Sequence, residues 1–166
     1  MDTSLKKSGI SKDEFRAALS RFPSGVTIVT TKDAEDRFHG ITVSAFASVS
    51  LEPPMILVCI DKDSGSHHAF REGEFFVVNI LAEGHENLSN RFASQLSDKF
   101  EGVDYRIGIG EIPVLEDALV TLECRLADAH EGGDHTIFVG LVEKSNVTDA
   151  NPLIYWHGSY RKLETK

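Results

Sequence analysis

The sequence is poor in cysteine, in tryptophan and in positive charge: it has two cysteines, one tryptophan and 17 Lys+Arg against 26 Asp+Glu in 166 residues. Cys59 and Cys124 each sit inside an apolar run, MILVCI and VTLEC, with no CxxC spacing, which argues against a metal clip or redox pair and for free, buried thiols. No stretch approaches the roughly 18 apolar residues a membrane span requires. The opening MDTSLKKSGISKDEF has two lysines but no apolar segment behind them, so a cytoplasmic protein is expected, with residues 1–10 flexible. A formal net charge of -9 repels a polyphosphate backbone and argues against nucleic acid as a partner. It leaves small anions open, because a local nest of backbone N–H groups binds phosphate whatever the global balance.

Motifs are missing as well. There is no GxxxxGK[ST] loop, no GxSxG elbow and no HExxH, and Gly108-Ile-Gly110 lacks the third glycine of a dinucleotide fingerprint. His67-His68 offers two imidazoles, but adjacent side chains point apart and no third ligand lies at a recognised spacing, so no metal is expected. No internal repeat or low-complexity tract divides the chain, and residues 1–166 read as a single domain.

What is present is a succession of short apolar runs. Ser11-Lys-Asp-Glu14 is a capping-box pattern, and Phe15, Ala18, Leu19 and Phe22 follow at helical spacing, which predicts an amphipathic helix ending at Pro23. Ser24-Gly25 predicts a turn into a strand over Val26–Thr31, followed by a polar hairpin loop over Lys32–Arg37. Further strands are predicted from Gly40, over Met55–Ile60, Phe75–Leu81, Ala118–Ala129, Thr136–Asn146 and Leu153–Trp156, with helices at His67–Arg71 and Glu86–Ala93. Gln95–Gly110 shows no period and is predicted as loop. Six or seven strands with few helices and no βα alternation predict a mainly β fold, an antiparallel barrel or sandwich.

Three segments carry chemistry. Thr42, Ser44, Ser48 and Ser50 supply four hydroxyls interleaved with Val43, Ala45, Phe46, Ala47 and Val49; small side chains let a planar ring approach, and hydroxyls bond a phosphate. The same pattern also suits a strand with a serine-rich solvent face. Gly132-Gly-Asp-His135 places an imidazole at a hairpin mouth, where it can meet a ligand or simply face water. Tyr155 to Arg161 gathers the tryptophan and two of the three tyrosines beside an arginine, fit to stack on a nucleotide or to close a core.

Together these segments resemble the flavin reductase-like family, which includes the reductase components of two-component phenol and 4-hydroxyphenylacetate monooxygenases. The resemblance spans about residues 13–163. It runs through Phe15-Arg-x-Ala-x-x-x-Phe22, Ser24-Gly-Val-Thr-Ile-Val-Thr-Thr31, Gly40-x-Thr-x-x-x-Phe-x-Ser-Val-Ser50, Val78-Asn-Ile-Leu81, Arg91-Phe-Ala-Ser-Gln-Leu96, Gly133-Asp-His-Thr-Ile-Phe-Val-Gly140 and Pro152-Leu-Ile-Tyr155 ahead of Gly158-x-Tyr160.

The resemblance implies a split β-barrel, a homodimer with flavin sites near the subunit interface, and hydride transfer from NADH or NADPH to FMN or FAD, with reduced flavin passed to an oxygenase component. It implies that Thr42, Val43, Ser44 and Ala45 border the flavin ring and ribityl chain, and that Ser48, Val49 and Ser50 hold the phosphate region. Ile60, Ser64 and Ser66 would add contacts, with Phe92 and Gln95 close by. His135 would stand at the nicotinamide site, with Trp156, Tyr160 and Arg161 along it. The loop Asp61-Lys-Asp-Ser-Gly-Ser66 departs from any one family pattern. Two other readings stay open, a flavin-binding module without turnover and a reductase of another acceptor such as a corrinoid.

Overall fold

The computed structural model describes residues 9–164; part of the 1–10 segment expected to be flexible therefore lies outside the described residues. Helix α1 (Lys12–Leu19) starts as predicted: Ser11 Oγ accepts from the Glu14 backbone N–H, and the Glu14 carboxylate accepts from the Ser11 backbone N–H. None of its residues is buried, so the apolar face read from the sequence is left uncovered by the protomer.

The strands are β1 (Ser24–Gly25), β2 (Thr27–Lys32), β3 (Phe38–Val43), β4 (Phe46–Leu51), β5 (Pro54–Asp61), β6 (Phe75–Ile80), β7 (Tyr105–Ile107), β8 (Pro113–Leu115), β9 (Val120–Gly132), β10 (His135–Val147), β11 (Ile154–Trp156) and β12 (Ser159–Arg161). Helix α2 (His67–Glu72) follows β5, and α3 (Glu86–Ala93) follows β6. Mainly β with a few short helices is thus the architecture. Seven strands form one antiparallel sheet in the order β3-β2-β6-β9-β10-β5-β4. Its two edge strands, β3 and β4, are consecutive in the chain and joined only by Ser44 and Ala45. Three Cα steps reach about 11 Å at most, so the sheet must curl until its two edges nearly meet. No ladder joins β3 to β4 among the described residues, and the ring stays open along that seam.

Curling buries strands on both faces. In β2, Ile28 joins Val26, Leu81, Phe92, Leu115 and Leu153 outside the curl, while its neighbour Val29 joins Val58, Ile60, Phe76 and Phe138 inside it. That is the two-residue period of a strand with apolar cover on either side. Asn79, fully buried in β6, donates to the Ile28 carbonyl and accepts from Leu115 N–H, which fastens β8 to the sheet.

Several predicted boundaries move. Ser24-Gly25, expected as a turn, pairs as a short strand with β11, and β12 extends the fold past Gly158. The segment Gln95–Gly110, expected as plain loop, contains β7 and is organised by Arg91, whose guanidinium donates to the carbonyls of Asp98, Lys99 and Glu101. Cys124 is buried, and burial pushes its thiol up to about 12; Cys59 is half-buried, and both are free.

Candidate flavin and nicotinamide site

A pocket of about 430 Å³ opens between Arg37 with the first residues of β3 (38–41), the loop 64–66 and residues 92–100. Gly40 makes the close packing behind it possible: a Cβ there would stand 2.5 Å from the Phe92 ring, so only glycine lets α3 press on β3. The ring of Phe92 meets that of Phe100 edge to face, giving the pocket an apolar back wall.

Two polar groups in this pocket lack the partners that burial normally demands. Ser64 Oγ is buried with no hydrogen-bond partner among the described residues. Lys99 is half-buried, and its ammonium donates to the carbonyls of Gly40 (3.1 Å) and Phe92 (2.9 Å), forming no ion pair with a carboxylate among the described residues. Burial pulls its pKa below the ordinary lysine value. Two of its three donors are used, and one remains for a ligand. The Gly40 carbonyl also accepts from Ser66 Oγ (3.4 Å), so Lys99 and the 64–66 loop are tied to the same oxygen.

Of the residues singled out in the sequence, Ser64, Ser66, Phe92 and Gln95 line this pocket. Thr42 lies beside it, its hydroxyl donating to the Ser89 carbonyl of α3 at 2.6 Å. Ser44 and Ala45 form the seam, where the Ala45 carbonyl accepts from Cys59 N–H. Val43 and Ile60 are sealed in the core, so only their backbone could face a ligand. Ser48, Val49 and Ser50 run away from the pocket along the open edge of β4, with Val49 bulged out of register between its neighbours.

His135 begins β10 opposite Asp61, while Ala45 flanks Cys59 on the other side of β5. Two strand spacings, about 10 Å, therefore separate the hydroxyl-bearing seam from the histidine segment. Asp134 Oδ1 lies 2.7 Å from His135 Nδ1, which steadies the ring and leaves Nε2 without a protein partner among the described residues. Lys62 N–H donates to the Asp134 carbonyl, tying this hairpin to the loop that carries Ser64 and Ser66.

Tyr160 reaches α3, its hydroxyl 2.9 Å from both Ser89 Oγ and Asn90 Oδ1, and Arg161 lies 5.7 Å over the Trp156 ring. Trp156 donates to the Arg21 carbonyl. None of these three lines the pocket within one protomer.

The residues missed in the sequence are Lys99, Arg37 and His39; His68 was weighed there with His67 and set aside. His67 and His68 do point apart: His67 Nε2 meets Thr136 Oγ1, while His68 turns toward His39 and the buried Asp33. Burial opposes ionisation of Asp33, but bonds from His39, from the Arg37 backbone and guanidinium and from Glu35 N–H outweigh it and hold the carboxyl well below the usual range. A lone Lys-Phe pair in a stretch without period gave no sequence signal for Lys99.

A flavin combines a planar ring with an anionic tail. The apolar wall, the orphaned Ser64 hydroxyl and the unpaired Lys99 ammonium suit both parts.

Residues 19–164 match the profile of the family described as "Flavin reductase like domain". The chain is 44% identical over 153 residues to an "NADH-dependent flavin reductase" of Rhodococcus sp, covering 90% of this chain and 85% of that one. It is 37% identical over 153 residues, 90% of this chain and 81% of the other, to the "Flavin-dependent monooxygenase, reductase subunit HsaB" of Mycobacterium tuberculosis. A Rhizobium meliloti relative named "Probable flavin reductase" is 38% identical over 145 residues, 87% of this chain, and there the chain spans only 47% of the relative's length. Among solved structures, the Streptomyces globisporus NADH:FAD oxidoreductase SgcE6 in complex with NAD and FAD fragments superposes with a TM-score of 0.88 at 32% identity, covering 96% of this chain and 98% of that one.

Proposed function

Because the chain belongs to the flavin reductase-like family, we propose that it is an NAD(P)H-dependent flavin reductase that delivers reduced FMN or FAD to an oxygenase component. The observation that carries this reading is the meeting of three segments at one end of the curled sheet. These are the Thr42–Ala45 seam, the pocket holding Ser64 and Lys99, and the Gly-Gly-Asp-His135 hairpin. The near-closed sheet supports the split-barrel form of the fold. The uncovered apolar face of α1 and the turn after it, with Phe15, Leu19 and Phe22 all more than half exposed, supports a homodimer.

Bound flavin and nicotinamide would supply the acceptor and donor of a direct hydride transfer, chemistry that asks little of protein acids or bases. The chain contributes positioning and electrostatics. Thr42 to Ala45 would border the ring through small side chains and backbone, and Ser64, Ser66 and Lys99 would hold the negative part of the flavin. His135, steadied by Asp134, would orient the nicotinamide through Nε2. Phe92 and Phe100 exclude water from the back of the pocket. The hydroxyls of Ser48 and Ser50 and the side chains of Trp156, Tyr160 and Arg161 do not line this pocket within one protomer. In this reading they would serve the nicotinamide or a dimer-related site.

The test is steady-state oxidation of NADH and NADPH followed by absorbance, with FMN, FAD or no flavin added. Flavin-dependent turnover is expected with at least one pair. Tight flavin binding with no turnover would overturn the reading and favour a flavin-binding module instead.

A further inference from the structure

Three side chains that the proposed reaction does not use converge at the rim of the pocket. Asp33 follows β2, His39 lies in β3, and His68 lies in the first turn of α2. Their ligating atoms all lie within 4.8 Å of one another: Asp33 Oδ2 is 2.9 Å from His39 Nε2 and 3.9 Å from His68 Nε2. The two imidazole rings meet edge to face with centroids 4.9 Å apart. We infer that Asp33, His39 and His68 form a three-ligand site for a borderline divalent metal of the zinc class, open toward the pocket at its fourth position.

The geometry is near what such an ion needs. An atom equidistant from three points with these separations stands within a few tenths of an ångström of the about 2.0–2.1 Å usual for zinc–nitrogen and zinc–oxygen bonds. His68, whose side chain is 48% exposed, is free to make the adjustment. Two imidazoles and one carboxylate with one open position is also the ligand count of zinc sites that accept an outside ligand.

Charge decides whether an ion is tolerated. Arg37 Nε donates to the same Asp33 oxygen at 2.7 Å, and its guanidinium also pairs with Glu35. Asp33 and Glu35 against Arg37 leave one net negative charge beside two imidazoles. A carboxylate oxygen has two lone pairs, so Arg37 keeps one while the ion takes the other, replacing the proton now shared between Asp33 and His39. Arg37 weakens the site without closing it.

The test needs neither flavin nor nicotinamide, so its outcome is separate from that of the reductase reading. Apo protein freed of metal by chelation is titrated with Zn²⁺ in a calorimeter and with Co²⁺ in a visible spectrophotometer. One equivalent of Zn²⁺ should bind, and Co²⁺ should give the visible bands of a low-coordinate complex. His68→Ala, at an exposed position, should weaken binding at least about tenfold, and His39→Ala should do the same. His130→Ala, on the distant β9, should bind as the parent does. Absence of stoichiometric binding, or equal affinity in the parent and His68→Ala proteins, overturns the site.

Discussion

Lys99 is a positive charge held against two carbonyl oxygens, paired with no carboxylate among the described residues. A charge-assisted bond contributes about 1.5–3 kcal/mol, or roughly ten- to a hundredfold in affinity. Lys99→Met, which keeps the apolar stem, should weaken FMN binding by that range in a fluorescence titration. If the ammonium meets the phosphate, riboflavin binding should change far less. His135→Ala should raise the KM for the nicotinamide more than it weakens flavin binding, and unchanged kinetics would remove that residue from the site. Asp33 belongs to the same scale. Its folded pKa lies below its unfolded value, so its contribution to stability is present above the ordinary carboxylate range, near about 3.9, and fades as acid titrates the folded form. Thermal melts of Asp33→Asn should therefore show a deficit against the parent at pH 6 that narrows below about pH 4. Of these side chains only His135 drew notice in the sequence, through the glycine pair before it. Asp33, His39 and His68 are brought together by β2-β3 pairing and by the docking of α2, and neither is written in the spacing of the three residues.

At the scale of elements, helices and central strands were readable because their periods are strong. The capping box at Ser11 and Glu14 forms as expected, and the β-branched run after Gly25 becomes β2. Of the strands of two or three residues only β11 was readable; β1, β7, β8 and β12 were not, because they owe their existence to partners distant in the chain rather than to local preference. The loop carrying Lys99 was opaque for a related reason, since one arginine on α3 shapes it through three carbonyls. The amphipathic pattern of α1 was legible, but not what it faces. Phe22, 78% exposed, and Leu19, 58% exposed, would leave a charge harmless in an isolated protomer. If this face builds the proposed homodimer, Leu19→Asp with Phe22→Asp should shift the particle from dimer to monomer in analytical ultracentrifugation while the protomer's circular dichroism stays unchanged.

For the whole molecule, composition and strand count pointed to a mainly β fold, yet the curl of its main sheet follows from strand order, which no local pattern reports. Charge acts at this scale too. Two protomers that associate bring together twice a formal charge of -9, and the Debye length shrinks from about 30 Å at 0.01 M salt to about 10 Å at 0.1 M. Association through the apolar face of α1 should therefore tighten as salt rises over that interval, read from sedimentation as a falling dissociation constant. An interface held by ion pairs would weaken instead. The two residues between β3 and β4 stitch opposite rims of the sheet together. Whatever prises the rims apart must stretch that stitch, and a ring lying along it would act as a rivet. Breathing of the whole sheet and escape of the guest would then be one motion.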